Sequence, residues 1–124
     1  MRLAAVRKDG SVIQYIHNPS KAVQLAAIKE CGYAIEYIDN PSEAMQLTAV
    51  RRQGEAIKCI HNPSKAVQLA AIKECGYAIQ YIHNPSEEVI RYVIENCNDE
   101  DIIQSMRINF EKLPDDLKLR LEIM

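Results

Sequence analysis

Three histidines and one aspartate, His17, Asp39, His61 and His83, share one position of a 22-residue period, and side chains of these types are what a zinc site uses. The period works against a metal. Residues one period apart fall in successive layers of packed helices, about 8–10 Å apart, whereas zinc is coordinated at about 2 Å. The four residues therefore read as polar turn residues open to a partner. The four cysteines, Cys31, Cys59, Cys75 and Cys97, show no C-x-x-C spacing, so neither a zinc knuckle nor a redox motif is indicated. Cys31, Cys75 and Cys97 share a period position, and a disulfide needs Cα atoms within about 7 Å; they read as buried free thiols. No nucleophile–base pair, carboxylate pair, phosphate loop or metal spacing occurs, so an enzyme, a cofactor and a metal are not expected.

Two further sets could bind rather than react. Arg7, Lys29, Arg51 and Lys73 form a column that stays basic until Glu95. Cations suit the C-terminal end of a helix through its dipole, and the same stripe would meet an acidic partner. Tyr33 and Tyr77 alternate with Ser11 and Glu55, so they are expected to be exposed contact residues. Tyr15, Tyr37 and Tyr81, in a column with Cys59, are expected at the edge of the core.

The elements that carry these columns follow from the repeat. Gly10, Gly32, Gly54 and Gly76 recur every 22 residues, as do Pro19, Pro41, Pro63 and Pro85. Ile16 to Glu43 matches Ile60 to Glu87 except at Glu36 against Gln80 and Asp39 against His83, so the most recently copied unit is a pair of repeats. Asn18 is placed as an N-cap with Pro19 at the first helical position, Glu43 and Glu87 complete capping boxes, and Gly32 and its equivalents act as left-handed residues that end the helix. This predicts a helix A of about 12 residues from each proline and a helix B of about six or seven after each glycine. Strands compete for helix B, but Ala34, Ile35 and Ile38 follow i, i+1, i+4 spacing rather than alternation. Helices this short are marginal alone, so stacking must stabilise them, giving an all-α fold: a short solenoid of 22-residue helix-turn-helix repeats with a C-terminal helical cap.

The boundaries expected are a partial first repeat at 1–16, full repeats at 17–38, 39–60 and 61–82, a degenerate repeat at 83–104 and the cap at 105–124, with a last helix from Pro114 through Leu121. Two columns alternate in sign along the stack: Lys21, Glu43, Lys65, Glu87 and Lys8, Glu30, Arg52, Glu74. Opposite charges in adjacent layers would set stacking order more than stability. Gln24, Gln46 and Gln68 form a ladder expected to hydrogen-bond between layers. The first helix lacks the Asn-Pro start, so either the chain is a fragment of a longer array or its first layer is left partly open to pair with a second copy.

The Ala26–Ile38 segment and its copy at Ala70–Ile82, with a Lys/Arg-x-x-Gly pattern recurring four times, resemble a family of short helical repeats of unknown function in bacterial and viral proteins, with a consensus near AVKQNGxALxYA. The resemblance covers about residues 3 to 97 and implies no catalytic residues. The net charge of −2 makes a nucleic-acid partner unexpected, and no apolar run of about 18 residues or signal-peptide pattern occurs, so no membrane span and a cytoplasmic location are expected. A non-catalytic protein-interaction module is the expectation, its contacts drawn from helix B and the turns. A small phage-type inhibitor of a host defence protein, acting by steric blocking as anti-CRISPR proteins do, is the alternative.

Overall fold

The computed structural model describes residues 2–97, 100–104 and 113–123, the side chains of 2, 103 and 121–123 apart. Seven α-helices are found there: α1 (Arg2–Lys8), α2 (Lys21–Glu30), α3 (Glu43–Arg52), α4 (Lys65–Glu74), α5 (Glu87–Asn96), α6 (Glu100–Gln104) and α7 (Asp115–Ile123), with no strand among the described residues. Between successive members of α1–α5 lie 3-10 helices at Gly10–Tyr15, Gly32–Tyr37, Gly54–Cys59 and Gly76–Tyr81. Each of α1–α4 packs on the next α-helix and each 3-10 helix on the next 3-10 helix, so the repeats form two layers with a continuous core between them. The all-α solenoid expected from the period is what the chain forms.

Several local assignments change. The helix cap is serine, not asparagine: the Oγ of Ser20, Ser42, Ser64 and Ser86 accepts the N–H three residues on, at 3.2–3.4 Å. Helix A is therefore ten residues long. Glu43 and Glu87 become first-turn residues favoured by the dipole rather than capping-box partners. Each proline sits one residue outside the cap, and the carbonyls of Pro41 and Pro63 accept Nε2 of Gln46 and Gln68 at 3.1 Å within their own repeats. That bond replaces the interlayer ladder expected of these two glutamines.

Asn18, Asn40, Asn62 and Asn84 take φ of 49–53°. A left-handed residue is what turns the chain from the 3-10 helix into the next α-helix, and asparagine tolerates that region better than other side chains. Asn62→Gly should therefore leave the melting temperature nearly unchanged, while Asn62→Ala should cost about 1–2 kcal/mol, read by thermal or urea unfolding.

No glycine has positive φ, so none ends a helix in the left-handed manner expected; extended residues such as Cys31 and Gln53 do so. Glycine is required by proximity. A Cβ on Gly32 would lie 2.5 Å from the carbonyl oxygen of Ala49, and one on Gly54 would lie 2.6 Å from that of Ala71. The start of each of the first three 3-10 helices thus rests against the α-helix of the next repeat.

Helix B is a 3-10 helix because its six residues lie between that contact and the asparagine turn. Three residues per turn put i and i+3 on one side, so Ile35 and Ile38 are both buried, as are Ile57 and Ile60. At the C-terminal end, α6 packs on the 3-10 helix Gly76–Tyr81 and α7 packs on α5. The predicted last helix is present as α7, with Leu117 fully buried. Met1, Asn98, Asp99, residues 105–112 and Met124, which include much of the expected cap, lie outside the described residues.

Arg91 of α5 joins the cap by donating to Asp116 at 2.8 Å and to Glu87 at 3.0 Å, and Arg120 meets Glu95 at 3.3 Å. The hydrogen bond from Arg91 holds the Asp116 carboxyl below its usual range. A lowered folded-state pKa stabilises above the unfolded value and loses that contribution as pH falls through the folded one. Protection of the α7 amides, measured relative to their intrinsic exchange rates, should fall on acidification below the usual aspartate range, and Asp116→Asn should flatten that dependence.

Candidate functional site

The structure distributes eight of the ten residues singled out from the sequence over two separate edges and places the other two, Tyr33 and Tyr77, in the 3-10 helices. His17, Asp39, His61 and His83 are all exposed in the turns that precede the α-helices. Arg7, Lys29, Arg51 and Lys73 are exposed in the last turns of α1–α4. Ten helical residues rise about 15 Å, so the two sets do not form one site. Among the described residues no group of three or more His, Cys, Asp or Glu side chains is placed to hold a metal ion.

His61 and His83 do share a cleft of about 370 Å³ with Tyr81, Asn62 and Gln68. Nε2 of Gln68 is committed to the carbonyl of Pro63, and its Oε1 is buried without a partner among the described residues.

The tyrosines are distributed differently from the sequence reading. Tyr15, Tyr37 and Tyr81, expected at the core edge, are 81, 43 and 38% exposed. Tyr77 is 42% exposed, as expected of it. Tyr33, expected to be exposed, is half-buried: its hydroxyl donates to Glu55 at 3.3 Å and its ring lies 5.0 Å from Nζ of Lys58. Burial first, and then the Glu55 charge, raise the Tyr33 pKa. Lys58 also lies 5.6 Å from the Tyr81 ring, so one cation lies near two rings two repeats apart. Identical period position does not give Tyr33 and Tyr77 identical exposure: Tyr33 is half-buried and hydrogen-bonded to Glu55 of the next layer, whereas Tyr77 is 42% exposed.

All four cysteines are free and half-buried rather than fully buried. Cys31 donates to Oε1 of Gln53 at 3.6 Å, one repeat away. Burial first, and then Glu36, push the Cys59 thiol up, which disfavours the thiolate that a nucleophile needs.

The alternating columns do not pair in the register expected. Lys65 meets Glu88 at 2.9 Å, Glu43 accepts from the Ser64 hydroxyl at 3.0 Å, and Arg52 donates to the carbonyl of Lys29 at 3.1 Å. The flexible lysine and arginine stems reach one residue beyond the column partner or take a free helix-end carbonyl.

The sequence reading missed the outward side of the α-layer. Half-buried Leu3, Leu25, Leu47 and Leu69 recur every 22 residues there. With Ala22 and Ala26, Leu3 and Leu25 floor a groove of about 370 Å³ whose rim carries Arg7, Lys29 and Glu30; its copy between α3 and α4, of about 400 Å³, has Arg51, Lys73 and Glu74. The signal was the leucine spacing, which was absorbed into one broad apolar face. No helix among the described residues is long and apolar enough to cross a membrane. No protein-family model, no curated protein and no solved structure matches the chain.

Proposed function

We propose that the chain is a non-catalytic protein-interaction module whose stacked repeats present contact residues from the 3-10 layer and its turns. The observation that carries this reading is the exposure of Tyr15, Tyr37, Tyr77 and Tyr81 on a layer whose isoleucines are buried. Tyrosine gives a large amphipathic contact at little entropic cost, and an exposed aromatic set on a rigid layer is what a partner's apolar side chains would cover. The cleft formed by Tyr81, His61 and His83 adds polar groups beside it. The raised Cys59 pKa disfavours a catalytic reading.

Membership of the short-repeat family rests on the Lys/Arg-x-x-Gly spacing. A viral inhibitor would use the same surface and differ only in its partner. The test is affinity capture from the native host with the intact chain and with a Tyr37→Ser/Tyr81→Ser variant of equal melting temperature. A protein retained by the first and lost by the second is expected; identical recovery with both would contradict the reading, and recovery of a defence effector would choose the inhibitor.

A further inference from the structure

The two grooves on the opposite, α-helical layer are built alike and open alike. In the first, Leu3, Ala22, Leu25 and Ala26 make an apolar floor while Arg7 and Lys29 stand together at the C-terminal ends of α1 and α2. In the second, the same positions two repeats on place Arg51 and Lys73 at the ends of α3 and α4. One glutamate faces two cations in each, leaving both grooves positive in a chain of net charge −2.

These cations are paired with no carboxylate among the described residues, although Lys73 lies 5.8 Å from the Tyr92 ring. Among the described residues none of Arg7, Lys29, Arg51 and Lys73 has a carboxylate within 4 Å, whereas Lys65, Arg91 and Arg120 each do. The intervening gap between α2 and α3 is different, because Arg52 reaches across it to the Lys29 carbonyl. Glu30 and Glu74 occupy the Arg52 position at the other two gaps, and a glutamate cannot donate to that carbonyl. The two-repeat copy unit thus leaves alternate gaps without an arginine bridge at their C-terminal ends, although Glu43 and Ser64 close the other end of the α3–α4 gap. At α5 the leucine and cation columns become Arg91 and Glu95, and there a helix of the chain itself, α7, supplies Asp116 to Arg91 and Arg120 to Glu95.

We infer that each groove takes a short acidic amphipathic helix, its apolar side on the leucine–alanine floor and a carboxylate between the paired cations, Arg7 with Lys29 or Arg51 with Lys73. A ten-residue groove wall matches about three turns of such a helix. Charge complementarity selects an acidic occupant. The apolar floor selects a helix over a phosphate backbone, which would gain nothing from leucine.

The probe is a synthetic helical peptide of about 12 residues, with leucines at i, i+3, i+4 and i+7 and glutamates along one edge, titrated calorimetrically into the full chain. A scrambled peptide of the same composition and a single-stranded oligonucleotide of equal charge are run beside it. Two sites per chain are expected, weakened by salt. Arg51→Glu/Lys73→Glu should abolish one site, with at least about tenfold lower affinity there, and leave the other. A peptide with lysine in place of glutamate should bind the reversed groove. Arg7→Glu/Lys29→Glu should give the mirror result, and Tyr37→Ser/Tyr81→Ser should change nothing, which separates this site from the tyrosine surface. Equal binding of the scrambled peptide, two surviving sites after charge reversal, or tighter binding of the oligonucleotide would overturn the inference.

Discussion

Gly54→Ala is expected to cost about 3 kcal/mol or more and to lower the melting temperature by about 10 °C, although alanine normally stabilises an ordinary helical position relative to glycine. The backbone at Gly54 has no positive φ, so an alanine there is not conformationally strained. Its Cβ would instead lie 2.6 Å from the Ala71 carbonyl oxygen and 2.8 Å from Cβ of Cys75. The carbonyl belongs to α4, so relief requires the third 3-10 helix to move away from the next layer and loosens the packing of Ile57 and Ile60. Gly76→Ala is the control. Its Cβ would meet Cδ1 of Ile102 at 2.9 Å and Sγ of Cys97 at 3.3 Å, side-chain atoms that can rotate away. A cost of about 1 kcal/mol or less is expected there. Equal destabilisation of the two variants in parallel melts would refute the close-approach explanation.

Ile57→Ala should be comparably severe, at about 3–4 kcal/mol, because Ile57 is 1% exposed and loses its methyl groups to a cavity. Its position within the stack matters as much as its burial. Ile57 has 3-10 neighbours on both sides, whereas Ile13, also buried, lies in the first layer described and packs against one. In a linear array each repeat is stabilised by its own packing and its neighbours' interfaces. Ile57→Ala should therefore weaken protection from exchange across α3, α4 and the helices between them. Ile13→Ala should act mainly on α1 and α2. Exchange measured by mass spectrometry checks both, and a uniform loss from Ile13→Ala would count against layer-by-layer coupling.

The two-layer stack was legible because its signals are periodic: glycine, proline and isoleucine every 22 residues divide the chain into units too short to fold alone. What the same residues do locally was harder to read. Asn-Pro-Ser offers two capping candidates, and local propensity does not say that asparagine will take the left-handed turn and leave the cap to Ser20. A recurrent glycine fits a left-handed helix end and a close approach equally well, and only the neighbouring repeat, with its Ala49 carbonyl against Gly32, separates them.

The tyrosines were misplaced for a related reason. Ile35 and Ile38 are buried, and Tyr37 between them is 43% exposed, a difference set by the packed neighbours rather than by local spacing. The α-layer grooves escaped notice because Leu25 lies beside the buried Val23, Ala27 and Ile28 in sequence, yet points to a different side of the same short helix.

The stacking of residues one period apart is tested most directly by methyl contacts in a deuterated, isoleucine-labelled sample. Cross-peaks are expected between Ile13 and Ile35, Ile35 and Ile57, and Ile57 and Ile79, with none between Ile13 and Ile57 or between Ile35 and Ile79. Contacts that skip a repeat, or silence between adjacent ones, would contradict the layered arrangement on which both proposed surfaces depend.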